Sequence, residues 1–102
     1  MARDILIVDD EADIRMLIAG VLGDEGFTTR EAANSDEALS HLRQRCPNLI
    51  VLDIWLQNSA LDGMQLLEPI QESYPDVPVV MISGHGNIET AVNAIKKGAF
   101  DF

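Results

Sequence analysis

Two short apolar runs in this 102-residue chain each end on acid. Ile5-Leu6-Ile7-Val8 runs into Asp9-Asp10, and Leu49-Ile50-Val51-Leu52 runs into Asp53. Continuous apolar runs of this length suit parallel strands that helices bury on both faces. In open α/β sheets, ligands bind outside the carboxyl ends of the strands. Three carboxylates delivered to that edge repel one another and cost stability unless a cation neutralises them. Helix capping accounts for one of these acids but not for all three. Such a concentration of charge is read as a site.

The other elements follow from periodicity and punctuation. A first strand covers 4–8. Ile14, Leu17, Ile18, Val21 and Leu22 then recur at the spacing of an amphipathic helix, with Asp10 placed to cap it and Gly26 to end it. Phe27 to Glu31 is short and partly polar, as an edge strand would be. Asn34 or Ser35 can cap a second helix carrying Ala38, Leu39 and Leu42, which Pro47 stops. A third strand covers 49–53, and Ile54 to Asp62 is a polar loop. The next helix runs from Gly63 to Tyr74, with Pro69 inside its first two turns or at a kink.

Pro78 to Ile82 reads as a fourth buried strand, followed by the flexible loop Ser83-Gly84-His85-Gly86. Asn87 caps a last helix with Ile88, Ala91, Val92 and Ile95 on one face and Gly98 as its stop. Ala99 to Phe102 looks like the start of a fifth strand. The alternation βαβαβαβα predicts an α/β, doubly wound parallel sheet with helices on both faces, in one domain over residues 1–102.

Composition narrows the function. Seventeen acids against 7 bases give a net charge of −10. That balance argues against nucleic-acid binding through this domain, because phosphate contact needs clustered Lys or Arg. The single cysteine, Cys46, leaves no intramolecular disulfide and reads as a semi-buried thiol rather than a nucleophile. Met1-Ala2-Arg3-Asp4 runs directly into a strand without a signal-peptide pattern, and no apolar stretch reaches the ~20 residues of a membrane span. A soluble, cytoplasmic chain with no membrane partner is expected.

The acid cluster has a definite chemistry available. A carboxylate can attack phosphorus and become an acyl phosphate. To meet an anionic phosphoryl donor it needs charge neutralisation, and Mg2+ suits an all-oxygen site with one or two carboxylates plus phosphate oxygens. Transfer then depends on in-line positioning and electrostatic stabilisation.

The pieces in order are Asp9-Asp10, Asp53, Asp62-Gly63, Ser83-Gly84 and Lys97-Gly98-Ala99-Phe100-Asp101-Phe102, at strand or helix ends along the whole chain. In this order the chain resembles the receiver domain of bacterial two-component response regulators. The resemblance implies a flavodoxin-like (CheY-like) sheet of order 2-1-3-4-5 and a phosphoprotein signalling domain that is not an enzyme, though it assists its own phosphotransfer and dephosphorylation. It implies Asp53 as phospho-acceptor, taking a phosphoryl group from a sensor histidine kinase. Asp10 would bind Mg2+ directly, Asp9 mainly through water or hydrogen bonding, and Asp53 and the main-chain carbonyl of Trp55 would complete the protein ligands. Ser83 would donate its hydroxyl to a phosphoryl oxygen, and Phe102 would be the switch aromatic. A homodimer is implied as well. His85 and His41 are given no catalytic role.

Two departures from the family pattern stand out. The family loop after the acceptor reads Asp-x-x-Met-Pro-x-x-Asp-Gly; here it runs from Asp53 to Asp62-Gly63 without the proline and two residues longer. That longer loop, with Ser83-Gly84-His85-Gly86-Asn87, is similar to nitrogen-regulation regulators of the NtrX/NtrC kind, whose receivers precede an ATPase domain and a separate C-terminal DNA-binding domain that activates transcription. The second departure is the family's Lys-Pro, expected three residues past the switch aromatic and therefore beyond Phe102. The fifth strand and helix are expected to be incomplete here, leaving Val79 to Ile82 as an apolar edge, and the 102-residue piece alone is expected to be phosphorylated poorly.

Three other readings compete. A small aspartyl-phosphate phosphatase would carry a second acid two residues after the nucleophile, where this chain has Trp55. A flavin- or nucleotide-binding module would need a Gly/Ser/Thr-rich loop after the first strand, where this chain has Asp9-Asp10-Glu11. A receiver-like module that dimerises or docks without phosphorylation leaves the acid triad unexplained.

Overall fold

The computed structural model describes residues 3–82. Four strands and three helices alternate: β1 (Asp4–Val8), α1 (Ala12–Asp24), β2 (Thr28–Ala32), α2 (Ser35–Gln44), β3 (Leu49–Asp53), α3 (Gly63–Ser73) and β4 (Val79–Ile82). All strand pairs are parallel, in the order β2-β1-β3-β4. This matches the first four places of the expected order. Ser83, His85, Asn87, the expected last helix and Phe102 lie outside the described residues.

The sheet has two unlike faces. Leu6, Val8, Ile50, Leu52, Val79 and Met81 form one, packed with Ala38 and Leu42 of α2 and Leu66, Leu67 and Ile70 of α3 into a continuous core. Most of these side chains are wholly excluded from water, each contributing about 1.5–3 kcal/mol by its burial. Ile5 and Ile7 are buried on the opposite face, on which α1 lies. Leu49 and Val51 on that face are only half-buried. Among the described residues, helices thus lie on both faces of the sheet, α1 on one and α2 and α3 on the other.

The amphipathic stripe of α1 is only partly covered. Ile14, Ile18 and Leu22 are half-buried, but Leu17 and Val21 are 64% and 57% exposed, as is Met16 at 69%. No residue of α1 is fully buried, and its main contacts among the described residues are with β1 and β2. Cys46 is exposed rather than semi-buried, since α2 ends at Gln44 and the chain leaves the core before Pro47.

Helix ends show what local chemistry does. Asp10 does not cap α1; the cap position is Glu11, whose own N–H donates to Asp9 Oδ1 at 2.8 Å. Gly26, at φ 93°, supplies the left-handed turn that ends α1. Asn34 caps α2 by accepting from the Glu37 N–H at 2.9 Å, and Ser35 does not. Asp62 and Gln65 form a reciprocal capping box on α3, which satisfies two otherwise orphaned donors. Pro69 is accommodated inside α3. No helix among the described residues is long and apolar enough to cross a membrane.

A part-buried ion pair closes the opposite end of the sheet from the acid cluster. Arg30 donates to both carboxylate oxygens of Asp4, at 2.6 and 3.2 Å, and to the carbonyls of His41 and Arg45 at 2.9 Å each. His41 Nε2 lies 3.0 Å from the Glu31 carbonyl, so the ring ties α2 to β2.

Candidate metal and phosphoryl site

Parallel register places the acids. Val8 stands opposite Leu52, so the residues that follow them, Asp9 and Asp53, leave the sheet at one level. Asp9, Asp10 and Asp53 each offer an oxygen within 4.8 Å of those of the other two. The cleft they share encloses about 230 Å³ and is lined also by Glu11, Ile14, Trp55 and Gln57.

The electrostatics are those of an anionic pocket that Arg15 offsets only in part. Burial raises the Asp53 carboxyl to about 6, with the neighbouring charges of Asp9 and Asp10 adding to it and the Trp55 N–H opposing it. Asp9 is also raised, first by burial and then by Asp10 and Glu11, against the Glu11 N–H and Arg15. Arg15 does not neutralise the cluster directly. Its guanidinium donates to the main-chain carbonyl of Asp9 at 2.6 Å and to Glu31 at 3.3 Å. The donor set is wholly oxygen and strongly anionic, which fits a hard divalent cation such as Mg2+.

The loop from Ile54 to Asp62 builds the other wall. Ile54 and Leu56 are buried and anchor it, while Trp55 between them is 47% exposed at the cleft. Two main-chain N–H groups reach the acids: Trp55 to Asp53 Oδ1 and Gln57 to Asp10 Oδ2, both at 3.4 Å. Asn58 takes a left-handed conformation, φ 54°, which asparagine tolerates better than most residues. Beyond it, Ser59 turns toward α2. At the loop's far end, Gly63 donates to the Ile54 carbonyl at 2.8 Å.

Asp9, Asp10, Asp53 and Trp55 thus converge as the sequence suggests. Three contributors to the site do not follow from it, Gln57, Ser35 and Ser59, while Gly63 belongs to the Asp62-Gly63 piece of the sequence pattern. The missing proline after Trp55 was a usable signal for Gln57, because any other residue there carries an N–H. The serine pair leaves no short-range signature.

Comparison with known proteins agrees with this geometry. The family model for the response regulator receiver domain matches residues 5–102, and the chain belongs to that family. Within it, the chain is of the NtrX/NtrC type. It is 65% identical over its full length to the nitrogen assimilation regulatory protein NtrX of Azorhizobium caulinodans, of which it spans 22%. The crystal structure of the receiver domain of NtrX from Brucella abortus superposes with a TM-score of 0.94 at 62% identity, over 97% of this chain and 82% of that one. A response regulator from Burkholderia pseudomallei, solved with a phosphorylated aspartic acid, a calcium ion and citrate, gives a TM-score of 0.89 at 31% identity, over 97% of this chain and 57% of that one. The chain spans only about a fifth of the curated NtrX relative it matches.

Proposed function

We propose that this domain accepts a phosphoryl group on Asp53 from a sensor histidine kinase, with Mg2+ held by Asp9, Asp10, Asp53 and the Trp55 carbonyl, and that the change switches a transcriptional output. The observation that carries this reading is the convergence of three carboxylates, two with raised pKa, at the carboxyl edge of a parallel sheet with no basic side chain against their oxygens among the described residues. The phosphorylated aspartic acid and calcium ion of the Burkholderia relative support the same chemistry at such an edge.

A bound divalent cation would neutralise the acids and the incoming phosphoryl oxygens. Asp53 supplies the nucleophile: one carboxylate oxygen forms a bond to phosphorus as the bond from phosphorus to the donor imidazole breaks, leaving an acyl phosphate and a free imidazole. At neutral pH a carboxyl titrating near 6 is mostly ionised and ready to attack. Asp10 and Asp9 hold the negative potential that recruits the cation. The Trp55 N–H lies 3.4 Å from Asp53 Oδ1, on the loop side of the acceptor. Ser83 as the hydroxyl that contacts the phosphoryl group, Phe102 as switch aromatic, dimerisation, and assistance to the domain's own dephosphorylation are parts of the same proposal.

Intact mass after incubation with acetyl phosphate and Mg2+ tests the reading, on a chain extended past Phe102. One added phosphoryl group on the wild type, absent from Asp53→Asn, is expected. No addition to either would favour a receiver that docks without phosphorylation.

A further inference from the structure

The nine-residue loop from Ile54 to Asp62, anchored near its start by the buried Ile54 and Leu56, is tied at one further point by side-chain hydrogen bonds to another element. Ser35, the first residue of α2 and 1% exposed, donates its N–H to Ser59 Oγ at 2.8 Å. The two hydroxyl oxygens are hydrogen-bonded at 3.1 Å. Ser59 Oγ donates to the Leu61 carbonyl at 2.6 Å, and the Leu61 N–H donates to Ser35 Oγ at 3.2 Å. Each hydroxyl has a single proton, and the short bond to the Leu61 carbonyl takes that of Ser59. Ser35 therefore gives its proton to Ser59, and both hydroxyl protons are engaged. The Ser35 N–H is one of the donors a helix start leaves without an internal partner, so the loop also completes α2.

We propose that this Ser35–Ser59 clasp is the positioning element of the acid site, fixing the loop where its main chain meets the carboxylates. Ser59 stands two residues after Gln57, whose N–H reaches Asp10, and four after Trp55, whose N–H reaches Asp53. Those two contacts, at 3.4 Å, are too long to hold a loop by themselves. Asn58, at φ 54°, stands between Gln57, which lines the cleft, and Ser59, which bonds to α2. The serines touch no acid and are positioning residues. Their role toward a divalent cation rests on the reading proposed above.

The test compares wild type, Ser59→Ala, Ser35→Ala and Ser59→Thr. Mg2+ is titrated by the fluorescence of Trp55, the sole tryptophan and a lining residue of the cleft. Main-chain hydrogen exchange at Trp55 and Gln57 is measured without metal. Removing a partner of a metal ligand typically weakens metal binding 10–100-fold, and one step further out about 3- to 10-fold is expected for both alanine variants, with Ser59→Thr near wild type. Exchange at Trp55 and Gln57 should quicken on the order of tenfold in Ser59→Ala. The two alanine changes combined should cost little more than either, because they break one network. Unchanged Mg2+ affinity together with unchanged exchange in Ser59→Ala overturns the proposal, even if the variant melts at a lower temperature. A wild type that shows no saturable Mg2+ response defeats the metal reading instead. Exchange alone then decides the clasp: quickened supports it, unchanged overturns it.

Discussion

Gly63 sits so close to Asp53 that a Cβ built on it would fall 1.8 Å from the Asp53 carbonyl oxygen and 2.8 Å from the Ile54 Cα. The first residue of α3 is thus pressed against the main chain that carries the acceptor, and its N–H is spent on the Ile54 carbonyl. Only a residue without a side chain permits the approach. The capping box from Asp62 to Gln65 fixes the helix start that makes it.

Gly63→Ala should therefore disturb the acid site through packing. The contact is with backbone, which cannot swing aside, so at least the ~1–3 kcal/mol of core overpacking is expected. Thermal unfolding with and without Mg2+ measures it: a lower midpoint is expected in both, with a smaller gain from Mg2+ than in wild type.

The raised carboxyls set the pH response. Asp53 titrates near 6 in the fold against 3.8 when unperturbed, so its contribution to stability is complete below 3.8 and is lost as pH rises through about 6. Asp9 acts in the same direction. Metal-free protein should lose stability across that window, measured as a falling unfolding midpoint. Mg2+ should flatten the loss, and its apparent affinity should rise over the same interval as protons leave.

Asp53→Asn removes one of three mutually repelling charges from a desolvated place. The variant is expected to be more stable than wild type without metal at neutral pH, by about 1 kcal/mol given partial solvent screening. It should also gain less from Mg2+. A destabilised variant would mean that the acids are already compensated in the fold.

The Arg30–Asp4 pair provides the contrast. Arg30→Met leaves Asp4 buried with Arg45, at 3.4 Å, as its remaining ion-pair partner among the described residues. Breaking a buried pair costs about 3–5 kcal/mol, and the low end is expected because Arg45 remains. Chemical denaturation measures the loss. Mg2+ affinity of the folded fraction should be unchanged, since the pair lies at the far end of β1.

Most of this architecture is written in short-range pattern. The runs at 5–8 and 49–52 name two central strands, and parallel register then brings Asp9 and Asp53 level without further information. Helix ends were legible where one residue type decides them, as at Gly26, and misread where the choice depended on rotamer: Asp10 was the nominal cap of α1, yet Asp9 reaches the Glu11 N–H. Exposure of Leu17 and Val21 was not legible, because periodicity states which residues share a face and not what covers it. The Ser35–Ser59 clasp spans 24 positions and two polar residues of ordinary type, and only the fold reveals it.

The central claim is that Asp53 is the phospho-acceptor of an acid site that needs Mg2+. Intact mass spectrometry after acetyl phosphate, with Mg2+ and with the metal chelated, tests it most directly on a chain extended past Phe102. One phosphoryl group, dependent on Mg2+ and absent from Asp53→Asn, is the predicted result. A phosphoryl group that persists in Asp53→Asn, or none on the wild type with Mg2+ present, would contradict it.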